Sequence, residues 1–280
     1  MNMNMNIFKR IKSASILFLL IFIYACSPIE DRDELSNSFS PDNIVLETTQ
    51  ATPGSNKVSI KMATKGVTGY WDYIIDQEFT DEIKDIIFPF TGEHTLTYNV
   101  TTPYISSGID NPEYIKKTIK INITQLDSPL PEAYYALVGE DLGGKSWVFD
   151  GKLGDGKVWW AMTNPEKPED VWWNAGGLND ATPGGYTGHM VFDVTGGLNF
   201  TTYLTPDDTS PKKGSFVLNK SFTKLYIKGD TNIFGSDHEK SGNNKEFQIL
   251  ELTSSKMKLW VPNASGGTGW IWVFKPQENK

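Results

Sequence analysis

Two Trp-Trp pairs constrain this chain more than any other feature. Trp159-Trp160 and Trp172-Trp173 flank a polar, Pro-containing segment, residues 163–170. They lie in a stretch, 147–186, that holds five of the nine tryptophans. On a β-strand, neighbouring side chains leave on opposite faces. A sheet with one buried face therefore hides one indole of each pair and shows the other to water. Either the wall is covered on both sides, or some rings stay bare. Large apolar rings left in water mark an interaction surface.

The surrounding pattern is all-β. Val58, Ile60 and Met62 alternate with Ser59 and Lys61; Leu96, Tyr98 and Val100 alternate with Thr95, Thr97 and Asn99; Ile119, Ile121 and Ile123 alternate with Lys120 and Asn122. Each is a half-buried strand by the period-two rule. Pro53-Gly54, Gly66, Gly69, Gly92 and Gly108 punctuate them as turns. Residues 81–87 fit a short helix or another strand. Beyond a Pro-rich joint, further strands are expected at 134–138, 146–150, 158–162, 189–194, 199–205, 215–218, 224–228, 247–253, 256–261 and 270–274. Strand density without βα alternation predicts sandwiches, the second of them jelly-roll-like.

The N-terminus reads as an export leader. Lys9, Arg10 and Lys12 precede the apolar run 16–24, which ends at Ala25-Cys26. The run is far shorter than the ~20 residues a spanning helix needs, and its layout is that of a signal peptide over 1–25. Ile23-Tyr24-Ala25-Cys26 resembles the bacterial lipobox, which implies lipidation of Cys26 and an outer-membrane lipid anchor. Cys26 is the only cysteine, so it has no partner within the chain. The acidic stretch after it, within a tether 26–41, resembles the surface-export signal of Bacteroidetes lipoproteins. Loss of the three leader cations takes the formal charge from −8 to −11. No basic cluster interleaves with aromatics there, which argues against nucleic acid as a partner.

The expected organisation is a first domain at 42–126, a linker at 127–131 and a Trp-rich domain at 132–280. Gly69-Tyr70-Trp71-Asp72-Tyr73, then Phe88-Pro89-Phe90-Thr91-Gly92-Glu93-His94-Thr95-Leu96, resembles the polycystic-kidney-disease (PKD) type of Ig-like sandwich. Ile74-Ile75 stands where that family has Gly-Asp. The resemblance implies a spacer domain, with Trp71 in its core. In the second domain, Gly144 to Asp150, Val158-Trp159-Trp160-Ala161, Gly185-Tyr186, Met190-Val191-Phe192 and 247–253 through Trp270 resemble the C-terminal domain of PKD-containing Bacteroidetes surface lipoproteins. Those are associated with SusC/SusD-type glycan importers. The resemblance implies a glycan-binding surface protein and an importer as partner.

Strand phase sorts the remaining tryptophans. Trp147 shares a face with Phe149 and is expected in the core; Trp270 and Trp272 share a face with Phe274, but Ile271 and Val273 make the other face apolar too, so phase does not separate them and they are expected in the core as well. Trp260 lies opposite Met257, Leu259 and Val261 and is expected to be exposed. Trp172-Trp173-Asn174-Ala175 runs into turn residues and is the leading platform, followed by Trp160, Trp159 and Trp260. Rigid exposed indoles stack on sugar rings with little rotamer entropy lost. Asn174, Asp180 and Tyr186 are the expected polar or secondary partners. Catalysis is not expected. The acids, among them Asp150, Asp193, Glu246 and Glu251, form no compact motif, and the three histidines lack metal-ligand spacing. No cofactor is expected; Gly154-Asp155-Gly156 and Asp207-Asp208 are the only places where calcium is considered. The competing readings are a sandwich-type glycoside hydrolase and a structural accessory subunit of an importer.

Overall fold

A computed structural model describes residues 41–101, 115–152, 154–175, 187–236, 245–264 and 267–278. The leader, the acidic tether and Cys26 lie outside the described residues, as do Asp180 and Tyr186. Residues 41–280 form one compact unit.

The first half has seven strands in two antiparallel sheets. One runs β1 (Leu46–Gln50), β2 (Lys57–Met62) and β5 (Glu82–Ile87), and the other β4 (Asp76–Glu78), β3 (Gly69–Tyr73), β6 (Gly92–Val100) and β7 (Ile115–Ile123). Residues 82–87, left open between helix and strand, are thus a strand. The alternation read from the sequence points inward as expected. Val58, Ile60, Met62, Leu96, Tyr98, Ile121 and Ile123, from both sheets, form one buried cluster around Trp71. Trp71 is fully buried and packs edge-on against Tyr98, with centroids 5.2 Å apart.

The joint is knitted to the first half. Asn56, itself buried, donates through Nδ2 to the carbonyl oxygens of Phe88 (3.1 Å) and Ser128 (3.0 Å), and its Oδ1 accepts from the Ser128 N–H. Asp127 accepts from the hydroxyls of Thr52 and Ser55. Those donors hold its carboxyl below the usual carboxylate range, Ser55 foremost. Phe90 crosses over to join the second half's core.

The second half opens with a helix, α1 (Glu132–Val138), where a strand was expected at 134–138. Its buried Tyr134, Leu137 and Val138 follow a helical spacing that an apolar run of strand length does not distinguish from a buried strand. The sheet that follows is where the fold departs from a jelly-roll-like sandwich. β11 (His189–Asp193), β12 (Asn199–Tyr203), β13 (Lys212–Leu218), β14 (Lys224–Gly229), β15 (Glu246–Leu252), β16 (Met257–Ala264) and β17 (Thr268–Pro276) meander in chain order. β8 (Lys145–Phe149) pairs with both β11 and β17, closing an eight-stranded antiparallel barrel. Closure removes both sheet edges, and eight strands enclose a space that side chains fill. Here Trp147, Phe192, Phe200, Phe216, Phe247, Leu259, Trp272 and Phe274 occupy the core, all essentially without solvent contact. Trp147 is buried as strand phase required, and Trp270 and Trp272, on a strand apolar on both faces, are buried as expected.

Two short strands branch from this barrel. β9 (Trp160–Thr163) pairs with β17 over Gly269 to Trp272, ahead of the stretch where β17 meets β8. Among the described residues β10 (Val171–Asn174) pairs with β9 alone and ends the sheet.

Candidate functional site

The β9–β10 hairpin carries both Trp pairs and treats them differently. β9 is hydrogen-bonded on both edges, to β17 and to β10. Trp159 and Trp160 are each only 2% exposed. Trp159 packs on Phe149, with centroids 4.9 Å apart, over Gly151, where an added Cβ would fall 2.3 Å from the indole. Trp160 lies 5.7 Å from Trp270 by ring centroids. Neither is a solvent-facing platform, and that expectation is corrected. Trp160 stands in β9 between two sheet neighbours, whereas Trp159, the residue before β9, is buried by packing on Phe149 over Gly151.

Trp260 is corrected for a related reason. Strand phase does place it opposite Met257 and Leu259, but it is 6% exposed. Its indole N–H donates to Thr163 Oγ1 at 3.1 Å. The ring reaches Thr163 across Gly269, where an added Cβ would stand 2.4 Å from that oxygen and 2.6 Å from the indole nitrogen. β9 thus covers what would otherwise be an outer face.

Among the described residues β10 has one neighbour, and Trp172 is half exposed (50%). Val171 pairs with Thr163, while Trp173 pairs with Met162, so Trp172 is the extra residue of a β-bulge. Bulges re-aim side chains, commonly at sheet edges beside binding sites. Trp173 is half-buried. It packs edge-on against Trp160 (5.5 Å, 87°) and Trp270 (6.1 Å, 61°). Edge-to-face pairs of this kind add about 0.5–1.5 kcal/mol beyond area burial. The exposed ring is therefore mounted next to a fixed one. Asn174 is half-buried on the same strand, followed by fully buried Ala175.

The turn between the strands is tied by its own polar residues. The Asn164 N–H donates to the Asp170 carbonyl (2.9 Å), and Asn164 Nδ2 to Asp170 Oδ2 (3.2 Å). Asn164 Oδ1 accepts from the Glu166 N–H at 2.9 Å, an Asx-type turn. Exposed Val171, Trp172 and Val158 supply apolar surface in this region.

The acids considered for chemistry are mostly engaged. Asp150 pairs with Lys157, Glu246 with Lys224 and Glu251 with Lys256. Asp193 accepts from Asn199 Nδ2 and the Thr195 N–H. Asp155 accepts from the N–H groups of Lys157 and Lys152, which hold its carboxyl below the usual range, Lys157 foremost. Asp208 does the same with Ser210 and Leu204. Asp155 and Asp208, two of the three carboxylates considered for calcium, thus cap turns of their own. Among the described residues no group of three or more His, Cys, Asp or Glu side chains is placed to hold a metal ion. No protein-family model and no curated protein matches this chain.

Proposed function

We propose that the protein is a non-catalytic cell-surface lipoprotein that binds oligo- or polysaccharide through Trp172, with Trp173 as its rigid backing and Asn174 as a polar neighbour. The observation that carries the reading is the half-exposed Trp172 indole on a bulged edge strand, beside an aromatic cluster that holds its neighbour still. A ring in that position supplies stacking area while little further order is lost on binding. Lipid anchoring through Cys26 would place the site at the outer membrane, facing outward. Hand-over to a SusC/SusD-type importer belongs to the same reading. The paired sheets around Trp71 support an Ig-like, PKD-type identity for the first half. Affinity gel electrophoresis against a panel of soluble glycans tests the proposal. At least one glycan should retard the wild type and not Trp172→Ala. Unchanged migration with every glycan, or equal retardation of the variant, contradicts it.

One observation favours a second reading. Among the described residues β10 is an edge strand with exposed Val171 and Trp172, and such edges accept an added strand from another protein. In that case the protein is an accessory subunit, and co-purification with an importer that survives glycan removal but not Trp172→Ala would favour it. Release of reducing sugar from any panel member would point instead to a hydrolase.

A further inference from the structure

The most exposed large apolar side chain among the described residues is not Trp172 but Phe79, at 78%. It stands in the turn between β4 and β5, and its ring tilts against Tyr70 with centroids 5.0 Å apart. Its backbone is held from both sides. Glu78 before it accepts from the Tyr73 hydroxyl and pairs with Lys220, and Thr80 after it donates its N–H to the Glu78 carbonyl and its hydroxyl to the Glu82 carbonyl. A lone exposed ring is ordinary on a protein surface. This one borders a groove.

Tyr70 and Asp72 leave β3 on its outer face, opposite the buried Trp71 and Tyr73. Gln77 of β4 and Thr97 of β6 flank Asp72 directly in register, and Thr95 follows Thr97 on the same face. An open groove of about 520 Å³ runs on from there. Asp72, Thr95 and Thr97 line it along the sheet, Ile74 beyond the end of β3, and Gly196 and Gly197 from the β11–β12 turn of the second half. Sites for small molecules commonly enclose about 300–1,000 Å³.

The lining selects a ligand class. The Asp72 carboxylate makes no hydrogen bond or ion pair among the described residues. An anion would be repelled by it, and a wholly apolar molecule would strip it of water without giving it a partner. A cation would use acceptors only. Threonine hydroxyls and the Gln77 amide both donate and accept, as the hydroxyls of a polyol do. The Phe79–Tyr70 pair supplies the rigid aromatic surface on which the C–H face of a sugar ring lies.

We propose that this face of the first half is a second saccharide site, with Phe79 and Tyr70 as its stacking shelf and Asp72, Gln77 and Thr97 as partners for ligand hydroxyls. It goes beyond the Trp172 reading and rests on residues of its own. Phenyl and phenol rings offer less stacking area than indoles, so it is the weaker of the two.

Hydroxyl-radical footprinting of the full chain carrying Trp172→Ala tests it, with hexasaccharides of glucose, mannose, xylose and galactose each titrated to millimolar concentration. At least one should protect Phe79 and Tyr70 saturably while leaving Tyr203 of the second half unchanged. In the same background Phe79→Ala should weaken binding, read at Tyr70, at least about fivefold, the loss that marks an aromatic anchor. Asp72→Asn should weaken it about threefold or more, since a charged acceptor becomes neutral. Both side chains are exposed, so the fold survives either change. Protection by none of the four sugars, or undiminished affinity in Phe79→Ala, overturns the proposal. Protection by a lysine-rich peptide and by no sugar overturns it too, and assigns the face to a cationic partner. Trp172 is missing throughout, so failure here leaves the Trp172 reading standing, and the reverse holds as well.

Discussion

Trp159-Trp160 and Trp172-Trp173 are the same dipeptide in the same hairpin, yet they end in opposite surroundings. Both rings of the first pair are 2% exposed, while Trp172 of the second is 50% exposed. What separates them is sheet position. Among the described residues β9 has neighbours on two sides and β10 on one. Trp160, on a strand with two neighbours, and Trp159, packed on Phe149 and Gly151 just ahead of that strand, are both buried. An edge strand with a bulge buries one and presents the other. The lesson is that strand phase assigns a residue to a face, whereas pairing decides whether that face meets water.

Truncation should separate the pairs most sharply. Trp160→Ala removes a ring from the Trp160–Trp173–Trp270 cluster and should cost about 3–5 kcal/mol, as large aromatic truncations in cores do. Trp172→Ala should fall within about 0.5 kcal/mol of wild type, as exposed substitutions usually do. Urea denaturation of both variants measures the gap. Comparable losses would erase the distinction between interior and edge.

A titratable group sharpens the contrast between covered and open positions. His94 is 4% exposed and sits between Phe88 and Phe90, with ring centroids 4.7 and 4.5 Å away. Burial lowers its pKa from 6.5, opposed by its bond to the Phe90 carbonyl. His189, stacked on Tyr203, is lowered by burial too. A histidine whose folded pKa lies below its unfolded value binds more protons when unfolded. Its contribution is therefore complete above pH 6.5 and shrinks as pH falls toward the folded value. Stability should decline between about pH 7 and 5, before the carboxylates titrate, and His94→Gln should flatten that slope. Equal slopes in chemical denaturation across this window would show His94 to be open to water.

The smallest effect belongs to the contact between the halves. Glu78 would be raised by burial, but Lys220 and Tyr73 outweigh this and hold its carboxyl below the usual range. The stability this gives is present at neutral pH and lost as pH falls through the lowered value. Lys220 is largely exposed, so screening limits the pair to about 0–1 kcal/mol. Lys220→Ala should change the denaturation midpoint little, and less in high salt. A loss as large as that of Trp160→Ala would show that the halves are held by charge rather than by Leu130, Phe90 and the Asn56 clamp.

Much of this was legible in the residues. Period two found the strands that enclose Trp71, and phase placed Trp147 in the core, while Trp270 and Trp272 were expected there on a strand whose two faces are both apolar. Trp172-Trp173 was identified as the leading pair, and it is the one with an exposed ring. What could not be read depends on contacts far apart in the chain. Barrel closure requires β8 to meet both β11 and β17, and no local signal encodes a pairing from Phe149 to Phe274. The burial of Trp260 depends on Gly269 and Thr163, brought together by that same topology. The helix at Glu132–Val138 was hidden because a short apolar run satisfies both periodicities. The groove beside Tyr70 and Phe79 is bounded by β3, β6 and the β11–β12 turn, and no spacing announces it.

Oxidative footprinting of the native chain, with each tryptophan resolved by mass spectrometry, tests the central claim most directly. Trp172 should be modified first, Trp173 more slowly, and Trp159, Trp160 and Trp260 only as the protein unfolds; a retarding glycan should protect Trp172 alone. Early modification of Trp159, Trp160 or Trp260, or a Trp172 that resists oxidation in the free protein, would contradict the account.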